Sequence, residues 1–430
     1  MTRTKCMAKD NRNTLTPKLR FPQFRNHPMW DTKLGGELFD QTNNRGASAG
    51  LPVLAITQEH GAIPRDEIDY HVSVTDKSIE TYKEVLPGDF IISLRSFQGG
   101  IEYSKYHGIC SPAYVVLRKK AEISDAFYKY LFKSHGFIQQ LTKNLEGIRD
   151  GKMISYKQFS ELRLPCPSSS EQRKIAECLS TLDELIEAES RKLDALKDHK
   201  KGLMQQLFPR EGETRPRLRF PEFQSNDEWR TVPLSELLRE KPVYGANAPA
   251  VPYSETLPTY LRITDIDDDG RFIRANKVSV AIIPSEDNFL RLGDIVLART
   301  GASVGKSYQY KETDGDLVFA GFLIRLRPHP EKVVSTYLFN FLRTDRYWNW
   351  VRITSARSGQ PGINSAEYSA LPIPMPPDGD IGLAEQQRIA DCLSSVDDLI
   401  AVQSDKLEAL RTHKRGLMQQ LLPNPSVFES

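Results

Sequence analysis

Residues 171–209 read EQRKIAECLSTLDELIEAESRKLDALKDHKKGLMQQLFP, and the same pattern returns at residues 385–423 as EQQRIADCLSSVDDLIAVQSDKLEALRTHKRGLMQQLLP. The two stretches lie 214 residues apart and are identical at 24 of 39 positions. A shorter repeat precedes each of them, PKLRFPQF at residues 17–24 and PRLRFPEF at residues 216–223. Since repeats of this strength mark repeated structural units, the sequence predicts two copies of one unit, each a globular module followed by a long helix.

Apolar residues recur at alternating steps of four and three along both long repeats, which is the heptad spacing of coiled coils. Two positions in this predicted seam are polar in both copies, Glu189 with Gln403 and Lys200 with Lys414. Polar seam residues cost stability but can fix register and orientation. The seam is predicted to include Leu179, Leu182, Ile186, Leu193, Leu196, Leu393, Val396, Ile400, Leu407 and Leu410.

A helix of about 37 residues is roughly 55 Å long, which is more than one module of this size can bury. The seam therefore predicts a partner helix, and the available partner is the other copy. We favour an intramolecular antiparallel coiled coil that holds two heads apart. The alternative is that each helix packs on its own module.

The sequence between the repeated ends differs between the two copies, and it is 15 residues longer in the second because the offset grows from 199 to 214. Gly88-Asp89 and Gly293-Asp294 are echoes that predict turns entering a strand. Strands are predicted at 53–56, 89–94, 113–117, 260–263, 294–298 and 321–326. Helices are predicted at 126–132 and 335–342, and their aromatic faces are assigned to the core.

The predicted fold class is α+β: two globular modules joined and spaced by two long antiparallel helices that form a coiled coil, related by a pseudo-twofold internal repeat. The predicted order is an N-terminal extension (1–16), a first module (17–167), a first spacer helix (168–209), a linker (210–215), a second module (216–376), a linker with the second spacer helix (377–423) and a C-terminal tail (424–430).

Composition indicates an ordinary soluble protein, because 39% of the 430 residues are hydrophobic and 27% are charged. Without an apolar run of about 20 residues or the apolar core of a signal peptide, the sequence predicts a cytoplasmic protein with no membrane partner. The net charge of +2 means that any nucleic-acid surface must be a local basic patch. Five scattered cysteines without C-x-x-C spacing argue against a zinc site or disulfide framework.

Searches for catalytic motifs lead to no catalytic residue and no metal site. The segment TGASVGKS at residues 300–307 resembles a phosphate-binding P-loop, but three residues separate its glycines where the motif requires four. No methyltransferase motif of the Asn-Pro-Pro-aromatic kind is present, and no spaced acid-and-lysine nuclease motif follows residue 378.

Taken together, these motifs resemble the specificity subunits of type I restriction–modification enzymes. The likeness covers nearly the whole chain and rests on the paired L-R-F-P-x-F motifs, the Leu-Pro and Gly-Asp elements of each module, and the paired E-Q-x-x-I-A-x-C-L and K-G-L-M-Q-Q-L helices. It implies two target-recognition domains that each read one half of a bipartite, asymmetric DNA sequence. It also implies that the coiled coil sets the gap between the halves.

The resemblance also implies the partners. Two modification (methyltransferase) subunits carrying S-adenosylmethionine would dock on the helical region, and two restriction subunits using ATP and Mg would act as translocase and nuclease. This chain would then be a non-catalytic DNA-recognition subunit that holds no cofactor of its own. The runner-up is a coiled-coil scaffold with two protein-binding heads, and an enzyme acting alone is the third hypothesis.

Candidate DNA contacts are polar and basic residues in the glycine-rich loops, because Arg and Gln can make bidentate hydrogen bonds to base edges and other polar side chains contact the DNA backbone. For each residue, a solvated surface position is the open alternative. The candidates are Arg95, Gln98, Arg149, Lys152, Arg299, Thr300, Ser303, Lys306, Arg357 and Gln360.

Overall fold

A computed structural model of the chain describes residues 14–45, 50–68, 80–143, 154–356 and 359–423. The chain divides into two compact units, one containing residues 1–190 and 405–430 and the other residues 191–404. One boundary between the units falls inside the first long helix and the other falls inside the second. Each unit therefore contains one module together with part of each long helix. Among the helices of the described residues, none is long and apolar enough to cross a membrane.

The strands of the first unit are short and pair antiparallel in the orders β1-β2-β11, β3-β10-β7-β8, β4-β5 and β6-β9 once they are numbered along the chain. They are β1 (Thr14–Leu15), β2 (Trp30–Leu34), β3 (Phe39–Thr42), β4 (Leu54–Thr57), β5 (Gly61–Pro64), β6 (Lys83–Val85), β7 (Phe90–Ile92), β8 (Glu102–Tyr103), β9 (Gly108–Cys110), β10 (Val115–Lys119) and β11 (Arg163–Cys166). The α-helices in the described part of the first module are α1 (Gly35–Leu38), α2 (Ser96–Gly99), α3 (Asp125–Leu131), α4 (His135–Lys143) and α5 (Tyr156–Ser160).

The first long helix, α6 (Ser169–Leu207), leads into the second unit. The strands there are β12 (Arg230–Pro233), β13 (Val243–Tyr244), β14 (Ala250–Pro252), β15 (Thr259–Leu261), β16 (Val278–Val280), β17 (Ile295–Ala298), β18 (Ser307–Gln309), β19 (Leu317–Phe319), β20 (Leu323–Leu326) and β21 (Pro372–Met375). The helices are α7 (Ser335–Phe341), α8 (Asp345–Thr354), α9 (Ser365–Ser369) and the second long helix α10 (Asp380–Leu421).

Short 3-10 helices complete both modules. They lie at Pro22–Phe24, Arg65–Glu67, Pro221–Phe223, Leu234–Leu237, Ile263–Asp265, Arg274–Asn276, Glu286–Asn288, Gly301–Ser303 and Glu312–Asp314.

The described residues of the first module form the two-stranded sheets β4-β5 and β6-β9, whereas the second module contains a second four-stranded sheet. Its strand order is β14-β16-β15-β19, and the β15–β19 pair is the parallel one. Its other four-stranded sheet, β13-β20-β17-β18, has the same pattern of neighbours as β3-β10-β7-β8 in the first module. A shared sheet therefore recurs in both modules, while the remaining strands pair differently.

Each module packs its short aromatic helix into its own hydrophobic core. Phe127, Tyr128 and Phe132 are fully buried in the first module, as are Tyr337 and Leu338 in the second. Because burying aromatic side chains removes large apolar areas from water, these residues stabilise the modules. The prediction that the aromatic stripes belong to the core is confirmed.

Polar side chains make β7 shorter than the predicted strand at residues 89–94. The Asp89 carboxylate accepts a hydrogen bond from the Leu86 backbone N–H at 2.8 Å, and the Ser96 hydroxyl accepts one from the Ser93 N–H at 2.9 Å. Both contacts close local turns, which compete with the strand ladder for backbone groups. The strand is therefore limited to Phe90–Ile92.

Candidate nucleic-acid interface

A buried ion pair joins the opening motif of each module to the start of the long helix that follows it. The Arg20 guanidinium donates two hydrogen bonds of 2.7 Å to the Glu171 carboxylate. At the equivalent place, Arg219 donates to Glu385 at 2.8 and 2.9 Å. The hydrogen bonds to Glu171 raise the pKa of Arg20. We call this ion pair, together with the opening motif and long helix that it joins, the frame of a module.

The glutamine next to each frame glutamate fixes a helix of the module. The side-chain oxygen of Gln172 accepts a hydrogen bond from the Ser124 N–H at 2.8 Å, immediately before α3. Gln386 accepts the equivalent bond from the Val334 N–H at 2.9 Å, before α7. The repeated Glu-Gln dipeptide therefore holds both the opening motif and the aromatic helix against the long helix.

Within the first unit, the long helices run antiparallel. Asp183 on α6 pairs with Lys414 on α10, and Glu189 accepts a hydrogen bond from Lys406 at 2.5 Å. The partner numbers fall as the α6 numbers rise, which is the pattern of antiparallel helices.

The second unit contains the equivalent ion pair, between Lys200 and Asp397 at 2.5 Å. The side chain of Lys200 is only 5% exposed. Burial is the main cause that lowers its pKa to about 8, and the charge of Arg343 acts in the same direction. The two lysines predicted as polar seam positions thus form one equivalent ion pair in each unit.

The predicted seam residues lie on the covered side of their helices. Leu185 and Leu399, which are outside the seam, are by contrast 42% and 56% exposed. Six seam residues are buried, namely Leu179, Leu193, Leu393, Val396, Ile400 and Leu407, and four are half-buried, namely Leu182, Ile186, Leu196 and Leu410.

A glycine–aspartate corner places the central strand of each shared sheet. Gly88 and Gly293 have φ angles of 96° and 89°, a region that glycine adopts without the steric cost of a side chain. The following aspartates accept bidentate hydrogen bonds from arginines. Asp89 accepts from Arg118 on β10 at 2.8 and 2.7 Å, and Asp294 accepts from Arg327, which directly follows β20, at 3.0 Å in both contacts. The predicted turns are confirmed, and each corner orients the loop at the far end of its strand.

In the first module, that loop exposes Arg95 and Gln98 at and within α2. The Gln58 side chain donates to the Arg95 carbonyl at 3.3 Å, which ties the loop to the β4–β5 hairpin. Leu94, which precedes Arg95, is 54% exposed. The first-module candidates Arg149 and Lys152 lie outside the described residues, as does Arg357 of the second module.

In the second module, the equivalent loop brings Arg299, Thr300 and Gln360 together. Thr300 forms a β-bridge with Gly362, and the Ile363 N–H donates to the Arg299 carbonyl at 2.9 Å. Ser303 ends the 3-10 helix of this loop, and its carbonyl accepts a hydrogen bond from the Lys306 N–H at 3.0 Å.

Lys306 makes an ion pair with Asp268 at 2.7 Å rather than joining the Arg299 group, and this contact lowers the pKa of Asp268. The segment after the loop, Ser307–Gln309, is a strand. A P-loop requires the N-terminus of a helix at that point, so the structure agrees with the rejection of that motif.

Two aromatic residues beside Arg299 were not among the sequence-based candidates. The Arg299 Cζ atom lies 5.0 Å from the centroid of the Tyr244 ring and 5.9 Å from that of Phe322. These residues are 43% and 59% exposed. The only sequence signal was an aromatic residue next to a glycine in each case, Tyr244-Gly245 and Gly321-Phe322, and that signal is weak.

Comparison with known proteins identifies the family. The sequence model of the type I restriction modification DNA specificity domain matches residues 34–198 and again residues 226–412. The chain therefore belongs to the type I restriction–modification DNA specificity family and contains two copies of its domain.

Relatives and solved structures agree with this assignment. The type I restriction enzyme MjaVIII specificity subunit of Methanocaldococcus jannaschii is 25% identical over 356 residues, covering 80% of each chain. The StySPI specificity subunit of Salmonella potsdam is 24% identical over 319 residues, covering 71% of this chain and 68% of the relative.

A similar fold occurs in the crystal structure of the type I restriction-modification system S subunit from M. genitalium, with a TM-score of 0.56, 16% identity, and coverage of 95% of this chain and 99% of that one. A chain from a study of complex assembly and conformational transition of the type I R-M system also has a TM-score of 0.56, at 18% identity, with coverage of 92% and 98%.

Proposed function

We propose that this chain is the non-catalytic DNA-recognition subunit of a type I restriction–modification complex, in which each module reads one half of a bipartite, asymmetric target in duplex DNA. The observation that carries the proposal is the combination of equal frames and unequal modules. Arg20–Glu171 and Arg219–Glu385 make the same contacts, while the second module has the four-stranded sheet β14-β16-β15-β19 and the described residues of the first have the two-stranded sheets β4-β5 and β6-β9. Two heads that are held alike but built differently suit two unrelated half-sites.

Partner subunits supply the chemistry in this proposal. Two modification subunits bind S-adenosylmethionine and dock on the helices, and two restriction subunits use ATP and Mg for translocation and cleavage, all in the cytoplasm. Leu185 and Leu399 support two equal docking positions, because they are equivalent in the repeat and both are unusually exposed for leucine on a helix. Because the two leucines occupy the same position of the repeat, they would give each modification subunit the same apolar contact.

A paired substitution tests the docking surface. The double variant Leu185→Glu and Leu399→Glu is expected to reduce co-purification of the modification subunit, because it introduces charge into an apolar contact. Ile283→Glu is the control, since Ile283 is fully exposed on the second module. Equal co-purification of the double variant and the control would contradict docking at these leucines.

The test of the function itself is to co-express the chain with its modification subunit and to map methylated sites across a genome. We expect one motif with two different half-sites separated by a fixed gap. A continuous or palindromic motif would contradict the proposal. The alternative, a protein-binding scaffold, predicts that the chain does not bind DNA with an affinity that decreases steeply with salt. DNA recognition predicts such a decrease, because phosphate contacts release counterions.

A further inference from the structure

Arg299 occupies a fixed place at the end of a strand in the shared sheet of the second module. It is the fifth residue after Asp294 of the glycine–aspartate corner, and it directly follows the last residue of the inner strand β17. Its backbone N–H donates to the Phe322 carbonyl at 3.1 Å, and its carbonyl accepts from the Ile363 N–H at 2.9 Å. The backbone of this residue is therefore held on both sides.

Among the residues that the structure describes, the side chain of Arg299 is held by aromatic rings and not by an acid. Tyr244 and Phe322 lie 5.0 and 5.9 Å from its Cζ atom, distances at which the ring faces attract a guanidinium. Its Nε–H group is buried and donates no hydrogen bond within the described part of the chain. This differs from Arg118, Arg219 and Arg327, which all bind carboxylates.

An arginine that is oriented by rings, and that has no acid partner in the described part of the chain, is suited to an external acceptor. The guanidinium is planar and presents parallel N–H donors. The edge of guanine in the major groove offers two acceptors, O6 and N7, which match that geometry. Because the rings and backbone already fix the side chain, little conformational entropy remains to be lost on binding.

The first module presents different chemistry at the same place. Leu94 is the fifth residue after Asp89, and it is 54% exposed. A leucine offers no hydrogen bond to guanine, and apolar side chains contact the thymine methyl group instead. The same position after the glycine–aspartate corner is thus a cation beside aromatic rings in one module and an aliphatic side chain in the other.

We infer that Arg299, oriented by Tyr244 and Phe322, is a specificity-determining residue that reads a guanine in the half-site of the second module. This inference rests on the proposed function, since it names the base that one head recognises. Gln360 borders the same loop, with its side-chain Nε2 close to Gly301.

The test uses the complex with the modification subunit and duplexes that carry the methylated target. Each guanine of the target is replaced in turn by 7-deazaguanine, which removes the N7 acceptor and keeps the base pair. We expect one replacement, in one half-site, to weaken binding by the wild type roughly 5-fold or more. That is the lower end of the range for a good bidentate contact, because 7-deazaguanine keeps the O6 acceptor. The same replacement should have little effect on Arg299→Leu, and Arg299→Lys should lose most of the discrimination because it lacks the planar fork.

Arg291→Leu is the matched control, because Arg291 is an exposed arginine near the other end of β17 that pairs with Glu286. It should remain as sensitive as the wild type. Sensitivity that is unchanged in Arg299→Leu would overturn the inference. The inference would also be overturned if the wild-type complex tolerated 7-deazaguanine at every guanine of that half-site. This second result does not depend on whether any variant folds. Failure of the wild type to prefer its target over a scrambled duplex would instead refute the proposed function.

Discussion

Arg219 and Glu385 are 166 residues apart in sequence, and they meet in an ion pair whose side chains are 7% and 1% exposed. The Trp229 ring N–H also donates to Glu385 at 3.3 Å. A carboxylate this deeply buried needs compensation by opposite charge and hydrogen bonds. The single arginine therefore determines whether the start of α10 can remain packed against the second module.

Removing that arginine gives a first prediction. Arg219→Ala leaves the Glu385 charge buried and without its cationic partner, which is expected to lower the free energy of unfolding by about 3–5 kcal/mol. The control is Arg230→Ala, because the Arg230–Asp378 pair is 57% and 72% exposed and such pairs contribute about 0–1 kcal/mol. Chemical denaturation measures both variants, and equal losses would contradict the structural role given to the frame.

The buried Lys200 predicts a dependence of stability on pH. Its pKa is lowered from 10.5 to about 8, so between these values the unfolded chain binds the proton and the folded chain does not. Stability therefore rises as the pH increases from about 8 to 10.5. Relative to Lys200→Met, the wild type should gain about 2–3 kcal/mol of unfolding free energy across this range. A difference that stays flat between about pH 8 and 10.5 would refute this.

At the scale of elements, each long helix has one face that is packed and another that is exposed to solvent. Leu393 is fully buried, whereas Leu399 on the same helix is 56% exposed. Leu393→Ala is expected to cost about 2–5 kcal/mol of stability through lost burial and a cavity. Leu399→Ala should change stability by less than about 0.5 kcal/mol. Thermal unfolding of the two variants provides the comparison, and similar losses would mean that the heptad assignment is wrong.

Much of this element-level description could be predicted from the sequence. The heptad spacing and the repeat are local and periodic, so the order of residues is enough to identify both long helices. The glycine–aspartate corners at Gly88 and Gly293 are equally local. The ends of β7 were not predicted correctly, because turns formed by the Asp89 and Ser96 side chains shorten the strand.

The site was less predictable for a physical reason. Arg299 could be selected by its residue type, but its ring neighbours are far from it in sequence, Tyr244 by 55 residues and Phe322 by 23. Their proximity depends on the pairing of β13 and β17 with β20. Lys306 was selected by the same reasoning, yet it pairs with Asp268. Residue type can suggest candidates, whereas sheet pairing decides which of them share a surface.

At the scale of the whole molecule, we propose that the long helices set the gap between the half-sites. Inserting one heptad into each helix, after Ser190 and after the equivalent Ser404, keeps the seam in phase. It adds about 10.5 Å of helix, or about three base pairs at roughly 3.4 Å each. Methylated-site mapping should show unchanged half-sites with a longer gap. An unchanged gap would contradict a spacing role for the helices.

The two modules are proposed to be independent readers of DNA that are held in equal frames. The most direct measurement of this independence exchanges residues 216–376 for the corresponding module of another family member and maps the methylated sites of the resulting complex. We predict that one half-site changes while the other half-site and the gap are retained. A change in both half-sites, or in neither, would contradict the proposal.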